Sequence, residues 1–306
     1  MALTVDFSRL KTRNDLLLAI GIDDHLFQEI IDFTPPEGGV GPLFDIPPFL
    51  RRQIPKKNLS RGHRTVWEPL AAKSNYKALA RRLESFFRLN LDGYPHADVY
   101  GYRSGRNIRE NAMRHVGRTR LISLDIEDFF PSISVSRIRT LLTSAGVAGE
   151  PAELLSQFLT IDDALPPGLP TSPVISNAVL LGADLELADL ARRHDASYSR
   201  YADDLSFSSD AALPDAAEVC QILQRHDFRL AADKTRQSRL GQAHYVTGLS
   251  ISDPMQPHPP RAMKRRLRQE LYYAKKFGLA DHLSFCGVDN DRLQQEQVNR
   301  LDGTVD

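Results

Sequence analysis

The chain has 306 residues, of which 42% are hydrophobic and 25% charged, a composition typical of a globular protein with enough chain for a large core. No run of about 18 apolar residues occurs, and the start lacks the features of a secretory signal, so we expect a cytoplasmic protein without a membrane span. The only cysteines, Cys220 and Cys286, form no Cys-x-x-Cys motif, which argues against a zinc site and a disulfide framework.

Charge is distributed unevenly along the chain, although the formal net charge is zero. Residues 51–120 contain 17 Lys/Arg against 5 Asp/Glu, whereas residues 121–250 contain 10 against 18. Residues 261–276 contain seven basic side chains and one acid. Basic flanks around an acidic centre suit a protein that binds a polyanion at its edges and cations in the middle; solvated helix faces are the alternative explanation.

The first 120 residues are predicted to contain short helices and one β-hairpin. Apolar spacing in residues 1–32, interrupted at 21–24, predicts two short helices, and TPPEGGVGP over 34–42 predicts a loop. The segments FLRRQIPKK and RTVWEPL, separated by polar residues 58–63, predict the two strands of a hairpin. A longer helix is predicted from 74 to 90.

The middle of the chain alternates predicted strands and helices. A short apolar strand over 121–126 carries Asp125 at its far end, and a helical region follows over 135–159. The next helix is predicted to begin with Thr171 or Ser172 as N-cap and Pro173 in its first turn. The residues predicted on its inner face are Ile175, Val179, Leu185 and Ala188. SYSRYADDLSFS then predicts a hairpin whose turn covers residues 202–204.

The last third of the chain is predicted to contain a helix, a strand and a basic helix. AAEVCQILQRHDF predicts an amphipathic helix, and YVTGLSI (245–251) predicts one strand. The Pro-rich linker DPMQPHPP separates these from the basic helix RAMKRRLRQELYYAKKFG. The complete order predicts an α+β fold around an antiparallel sheet.

Three aspartates form the candidate catalytic group. Asp203 and Asp204 lie at a predicted hairpin turn, and Asp125 lies at the end of another strand. Carboxylates are the ligands that Mg²⁺ prefers, and two such ions about 4 Å apart can activate an attacking hydroxyl and stabilise a leaving pyrophosphate. Paired acids are also common in solvated turns, so Tyr-x-Asp-Asp alone is a weak signal.

Five sequence blocks, taken in order, resemble the reverse transcriptase family over most of residues 50–250. They are RTVWEP (64–69), LDIEDFFPSI (124–133), LPPGLPTSPVISN (165–177), YADD (201–204) and AADKTR (231–236). The resemblance implies that Asp125, the carbonyl of Ile126, Asp203 and Asp204 hold two Mg²⁺ ions, with Mn²⁺ as a substitute. It also implies an aromatic plate at Phe130 that excludes a 2′-hydroxyl and so favours dNTPs, with a core phenylalanine as the structural alternative.

The resemblance implies three further contacts with the nucleotide. Arg64 and Lys57, with Lys56 as the alternative lysine, match the pair in the fingers that clamps the incoming triphosphate. Lys234 matches a lysine that protonates the leaving pyrophosphate, with plain phosphate pairing as the alternative. Gly168 would let the backbone pass close under the templating base pair.

Pro167 departs from the family pattern. Many relatives have a glutamine immediately before the glycine that corresponds to Gly168. A hydrogen bond made by such a glutamine is therefore absent here or supplied elsewhere. We expect altered fidelity before lost activity.

Two short motifs resemble the retron type within this family. Asn111, Ala112 and His115 match NAxxH, and residues 246–248 (Val246, Thr247 and Gly248) match the VTG that follows the palm in retron enzymes. A capped helix and an ordinary strand are the structural alternatives for the two motifs. Their co-occurrence favours the retron type over other bacterial reverse transcriptases.

The resemblance implies a right-hand polymerase fold. Its expected parts are an N-terminal helical extension (1–50), fingers (51–120), an antiparallel-sheet palm (121–250, with fingers helices near 135–165) and the beginning of a helical thumb (251–306). RNA contacts are expected from the basic fingers and from Arg265 and Arg266 in the 261–276 helix.

The implied substrates are dNTPs and a structured non-coding RNA that serves as template and primer. The product would be a branched RNA–DNA hybrid (msDNA), and the implied setting is anti-phage defence, usually with an effector protein. One alternative is another bacterial reverse transcriptase, of group II intron, diversity-generating or abortive-infection type. The other is a non-catalytic RNA-binding scaffold, but inactivated copies typically lose an acid and all three acids are retained here.

Overall fold

Two short α-helices, as predicted, follow a 3-10 helix (Phe7–Arg9) at the start of the described chain. The structure is a computed structural model that describes residues 6–33, 35, 49–55, 62–69, 83–91, 95–147 and 149–279. Helices α1 (Arg13–Ile20) and α2 (Asp24–Ile31) are separated at Gly21, whose φ of 70° ends α1 in the left-handed conformation. Thr12 begins α1 through a reciprocal capping box with Asp15.

The predicted hairpin is present in the basic segment. Strands β1 (Phe49–Pro55) and β2 (His63–Pro69) pair antiparallel. Phe33 contacts Phe49 and Trp67 edge to face, with ring centroids 5.4 and 6.0 Å apart, which packs the hairpin against the N-terminal helices. Helix α3 covers residues 83–90. The earlier part of the predicted helix, and Lys56 and Lys57, lie outside the described residues.

A four-stranded antiparallel sheet forms the centre of the fold. Its strands are β3 (Arg120–Asp125), β4 (Ser197–Tyr201), β5 (Asp204–Ser209) and β6 (Arg236–Arg239), in the order β4-β5-β3-β6. Alternate residues of β3 face opposite sides. Ile122 and Leu124 pack into the main core, while Leu121 joins a smaller cluster with Val246 and Leu249.

Helices cover the main-core side of this sheet. They are α5 (Val135–Ser144), α6 (Glu150–Phe158), α7 (Ser172–Val179), α8 (Leu181–Arg193) and α9 (Ala216–Arg225). The single helix predicted after Thr171 is in fact two helices, α7 and α8, which meet at Leu180. The inner face predicted for it was wrong at Leu185, which is 53% exposed. Leu185 lies roughly 200° around α8 from the buried Leu187, because each residue advances about 100°.

The segment predicted as one strand over 245–251 is a small hairpin instead. Strands β7 (Tyr245–Val246) and β8 (Leu249–Ser250) pair across a two-residue turn. Thr247 and Gly248 in this turn have φ of 46° and 80°, the double positive φ of a type I′ turn. A β-branched threonine rarely adopts this conformation, which is why the sequence indicated a continuous strand.

Two helices lie outside the main core. Helix α4 (Ile108–Met113) packs against the β7–β8 hairpin through Ala112. Helix α10 (Arg261–Phe277) has the predicted bounds within one residue, and none of its side chains is buried. Among the described residues, no helix is long and apolar enough to span a membrane.

Candidate active site

The sheet brings the three predicted aspartates together. Asp125, the last residue of β3, is the direct cross-strand partner of Asp204, the first residue of β5. Residues paired in this way have Cα atoms about 5 Å apart. Asp203 occupies the turn between β4 and β5, and its carbonyl accepts a hydrogen bond of 3.0 Å from the amide of Ile126. Acids that are about 80 positions apart in sequence thus share one end of the sheet.

Burial and mutual repulsion act on these carboxyl groups. Burial, followed by the charge of Asp125, raises the pKa of Asp203. Burial, followed by the charges of Asp203 and Asp125, raises the pKa of Asp204 to about 7, although the Asp204 side chain still reaches solvent. This repulsion follows from the short distances between the three acids that the strand pairing sets.

Lys234 places a cation directly against this group. Its ammonium donates a hydrogen bond to Oδ1 of Asp125. The amide of Ala231 donates to the backbone carbonyl of Asp125 at 2.8 Å, which fixes the Lys234 segment beside β3. Burial works against the Lys234 ammonium, but the hydrogen bond and charge of Asp125, with the charges of Asp203 and Asp204, outweigh it and raise the lysine pKa.

The donor set fits a hard divalent cation. Carboxylates and a carbonyl such as that of Ile126 are oxygen ligands of the type Mg²⁺ prefers. A cation between the acids would also relieve the repulsion that raises the pKa values of Asp203 and Asp204. In the described part of the chain, no three His, Cys, Asp or Glu side chains are already arranged as the ligands of a metal ion. At the three aspartates, one carboxylate oxygen of Asp125 accepts a hydrogen bond from Lys234.

Aromatic and basic side chains lie next to the carboxylates. Phe130 is half-buried, and its ring centroid is 6.0 Å from that of Tyr102. Burial and then the charge of Asp203 raise the pKa of Tyr102. The positive charge of Arg64 acts to lower the pKa values of both Tyr102 and Asp203. Arg64 and Tyr102 are therefore close enough to Asp203 to act on it electrostatically, and Phe130 contacts Tyr102. Tyr102 was not predicted from the sequence.

Tyr102 carries an unusual backbone conformation. Its φ is 59°, a left-handed value that aromatic residues rarely adopt. The preceding Gly101 is packed so tightly that a Cβ there would lie 2.3 Å from the amide nitrogen of Ala202. No sequence pattern could have indicated this site, because it depends on the contact between the 100–102 loop and the YADD turn.

Gly168 contacts the β1–β2 hairpin. A Cβ on Gly168 would lie 2.5 Å from the carbonyl oxygen of Trp67 and 2.6 Å from a methyl carbon of Val66. The amide of Trp67 also donates to the carbonyl of Pro167 at 2.9 Å. Pro167 and Gly168 thus attach the hairpin that carries Arg64 to the rest of the site, while the close approach to a template stays a prediction.

Comparisons with known proteins identify the family of this chain. Residues 54–276 match the family model for reverse transcriptase (RNA-dependent DNA polymerase). The chain is 33% identical to the retron Mx65 reverse transcriptase of Myxococcus xanthus, over 95% of this chain and 70% of that protein. The chain belongs to the reverse transcriptases of the bacterial retron type.

Two further relatives have the same description. The retron Mx162 reverse transcriptase of Myxococcus xanthus is 34% identical, over 73% of this chain and 52% of that protein. The retron Ec86 reverse transcriptase of Escherichia coli is 25% identical, over 78% of this chain and 70% of that protein. This chain is accordingly an RNA-directed DNA polymerase by family.

The two retron motifs of this reverse transcriptase contact each other. The side-chain amide of Asn111 donates to Oγ1 of Thr247 at 3.4 Å, and that hydroxyl donates to the carbonyl of Ile108 at 3.2 Å. Val246 packs against Ala112 in the small core cluster. Asn111 of the NAxxH motif therefore supports the strained VTG turn. Gly248 of that turn is exposed.

His115 connects the NAxxH motif to the β4–β5 hairpin that carries Asp203 and Asp204. It is fully buried, and its two ring nitrogens lie 2.7 Å from the hydroxyls of Ser208 and Ser199. Burial, followed by the charges of Arg114 and Arg118, lowers its pKa to about 3, so the ring is neutral. Arg265 and Arg266, in contrast, lie exposed on α10.

Proposed function

We propose that this retron-type reverse transcriptase copies a structured non-coding RNA into DNA through two-metal nucleotidyl transfer. The cross-strand pairing of Asp125 with Asp204, beside Asp203, is the observation that supports the mechanism. These carboxylates, with the carbonyl of Ile126, would hold two Mg²⁺ ions. When bound, such ions activate the attacking hydroxyl and stabilise the leaving pyrophosphate.

Other side chains have separate proposed roles. Arg64, with Lys57, binds the triphosphate. Phe130 limits space beside the sugar, and Lys234 is positioned to donate a proton once its contact with Asp125 is exchanged for a phosphate oxygen. The exposed turn at Thr247 and Gly248 and the arginines of α10 contact RNA.

The finer biology rests on the resemblance to retron enzymes. A guanosine 2′-hydroxyl of the RNA would prime synthesis and give a branched RNA–DNA hybrid. Anti-phage defence with an effector protein belongs to the same proposal. The expected fingers, palm and thumb would then correspond to the β1–β2 hairpin, the four-stranded sheet and the region that begins with α10.

A primer-extension assay tests the mechanism. The double variant Asp203→Asn, Asp204→Asn keeps side-chain volume while it removes both charges, so it should fold and lose more than about a hundredfold in dNTP incorporation on a primed RNA template. Asp162→Asn, Asp163→Asn is the matched control, because it neutralises another adjacent, exposed pair. Equal incorporation by the parent and the Asp203/Asp204 variant would refute the two-metal mechanism.

A further inference from the structure

Arg200 forms a fully buried ion pair close to the catalytic turn. It lies in β4, three residues before Asp203, and both Arg200 and Asp184 of α8 are 0% exposed. Nε of Arg200 donates to one carboxylate oxygen of Asp184 and Nη2 to the other, each at 2.7 Å. This bidentate geometry fixes the plane of the guanidinium group.

The remaining nitrogen of Arg200 reaches the turn itself. Nη1 donates to the carbonyl of Ala202 at 3.0 Å and to the side-chain oxygen of Asn177 at 2.9 Å. The Ala202 carbonyl belongs to the peptide group that leads directly into Asp203. The orientation of that peptide group helps to determine where the Asp203 carboxylate points. Arg200 therefore contacts the backbone that carries the catalytic acids.

Two further contacts lie around this ion pair. The hydroxyl of Tyr198 donates to Asp184, the partner far from the turn, at 2.8 Å. On the side of the turn, the amide of Asn177 donates to the carbonyl of Gly101 at 3.0 Å. Gly101 in turn packs against the amide of Ala202. Ala202 has φ of 58°, an uncommon value for alanine, so the turn needs contacts that hold it in this conformation.

Stability alone is a weak explanation for such a pair. The cost of removing two charges from water often exceeds their attraction, and well-packed apolar side chains stabilise a core equally well. An apolar pair could not donate a directed hydrogen bond to Ala202. The specific contribution of Arg200 is thus the fixed position of the turn.

We propose that Arg200 is a positioning residue for nucleotidyl transfer, whose guanidinium, oriented by Asp184, holds the Ala202 carbonyl and thereby sets the positions of Asp203 and Asp204. Arg200 touches neither substrate nor metal in this role. The inference rests on the proposed two-metal function, because only a reaction at these acids makes the turn position matter for rate.

Two variants remove the contact with Ala202 in different ways. Arg200→Lys keeps the charge, but a single ammonium cannot span Asp184 and Ala202 as the guanidinium does. If the Arg200→Lys variant does not fold, the double variant Asp184→Asn, Arg200→Gln takes its place, because it leaves no unpaired charge in the core. Tyr198→Phe is the control, because it removes a hydrogen bond to Asp184 and leaves the Arg200–Ala202 contact in place.

Primer extension at varied dNTP concentration separates position from stability. Small displacements of reacting groups reduce rates by up to about a hundredfold. We expect kcat to fall about 10- to 100-fold in the Arg200 variants, with the KM for dNTP changed less than about twofold, and kcat of Tyr198→Phe to stay close to the parent value. An unchanged kcat in a folded Arg200 variant overturns the inference. A loss in Tyr198→Phe as large as in Arg200→Lys does the same, because it would indicate a general stability effect.

Hydrogen exchange of the peptide that spans 198–206 gives a readout independent of activity. We expect its amides to exchange at least about tenfold faster in Arg200→Lys than in the parent and in Tyr198→Phe, because the turn opens more readily. If the parent incorporates no dNTP, the proposed function fails, and the exchange rates still decide whether Arg200 holds the turn. Equal exchange in all three proteins overturns the inference.

Discussion

Phe130 is the side chain that we propose limits the choice of nucleotide. It is half-buried between Phe129 and Tyr102, with ring centroids 5.1 and 6.0 Å away. A ring held from two sides has little freedom to move away from a larger sugar. Discrimination against a 2′-hydroxyl then follows from a steric clash, which depends on the size of the side chain and not on its charge.

Shortening Phe130 tests this role. Phe130→Val should increase the use of ribonucleotides relative to deoxynucleotides at least about tenfold, because space opens beside the sugar. The measurement is kcat/KM for each rNTP and its matching dNTP on one primed RNA template. Phe129→Leu is the control, because it shortens the neighbouring buried ring. An unchanged ratio in Phe130→Val would show that another residue excludes the 2′-hydroxyl.

The sequence predicts site residues only where a local pattern marks them. Asp125 could be predicted because it ends an apolar strand, and Asp203 and Asp204 because they lie between two such strands. Arg200 and Tyr102 could not be predicted in the same way. The role of Arg200 depends on Asp184, 16 positions earlier in another element, and that of Tyr102 on a backbone conformation fixed by contact with the YADD turn.

At the scale of secondary structure, most of the predicted order of elements is confirmed, but strand β6 of the central sheet was not predicted, and two other segments were predicted as continuous where the structure interrupts them. Gly182 lies two residues after the break between α7 and α8 at Leu180, but a single glycine is also tolerated inside a helix and so did not indicate the break. The VTG turn was predicted as a strand, because the sequence cannot indicate that Asn111 supports Thr247 in a left-handed conformation. The error at the VTG turn therefore concerns a contact between distant segments.

His115 makes the pairing of β4 and β5 sensitive to pH. Its folded pKa of about 3 is below the ordinary value of 6.5, since burial and nearby arginines oppose the charged ring. The stabilisation from a neutral ring is complete above pH 6.5 and is lost as the pH falls from 6.5 towards 3, because only the unfolded chain binds the proton readily there.

Unfolding at two pH values measures this effect. Between pH 7.5 and 5.5, the free energy of unfolding of the parent should fall by about 1.4 kcal/mol more than that of His115→Gln, which has no titrating ring. Urea titrations of both proteins at each pH give the difference, and other titrating groups cancel in the comparison. The same pH dependence in both proteins would contradict a buried neutral histidine.

Gly168, in the loop before α7, packs closely against the β1–β2 hairpin. Gly168→Ala places a Cβ against the backbone of Trp67. It should therefore lower the free energy of unfolding by about 1–3 kcal/mol more than backbone strain alone would. Because the clash displaces the hairpin that carries Arg64, the KM for dNTP should also rise. Gly146→Ala is the matched control. Its φ of 99° is close to the 105° of Gly168, and nothing lies within 4 Å of the position that its Cβ would take. Equal effects of the two variants on unfolding and on KM would exclude packing as the cause.

At the scale of the whole molecule, charge separates the parts that we propose bind nucleic acid from the part that we propose holds cations. The segment with the aspartates is acidic, while residues 51–120 and α10 are basic. Helix α10 also exposes Met263, Leu267 and Leu271. An exposed helix with a basic surface is suited to the phosphate backbone of RNA, because each phosphate neutralised releases a bound counterion.

The salt dependence of RNA affinity tests the role of α10. If Arg265 and Arg266 each contact a phosphate, Arg265→Gln, Arg266→Gln should weaken RNA binding and make the slope of log K against log salt less steep by about 1.4–1.8, since each contact contributes about 0.7–0.9. Arg192→Gln, Arg193→Gln is the control, because it removes two exposed arginines that pair with Asp189 on α8. Binding to one labelled RNA over a range of salt gives both slopes. A parental slope in the α10 variant would mean that RNA is held elsewhere, with the basic hairpin around Arg64 as the next surface to neutralise.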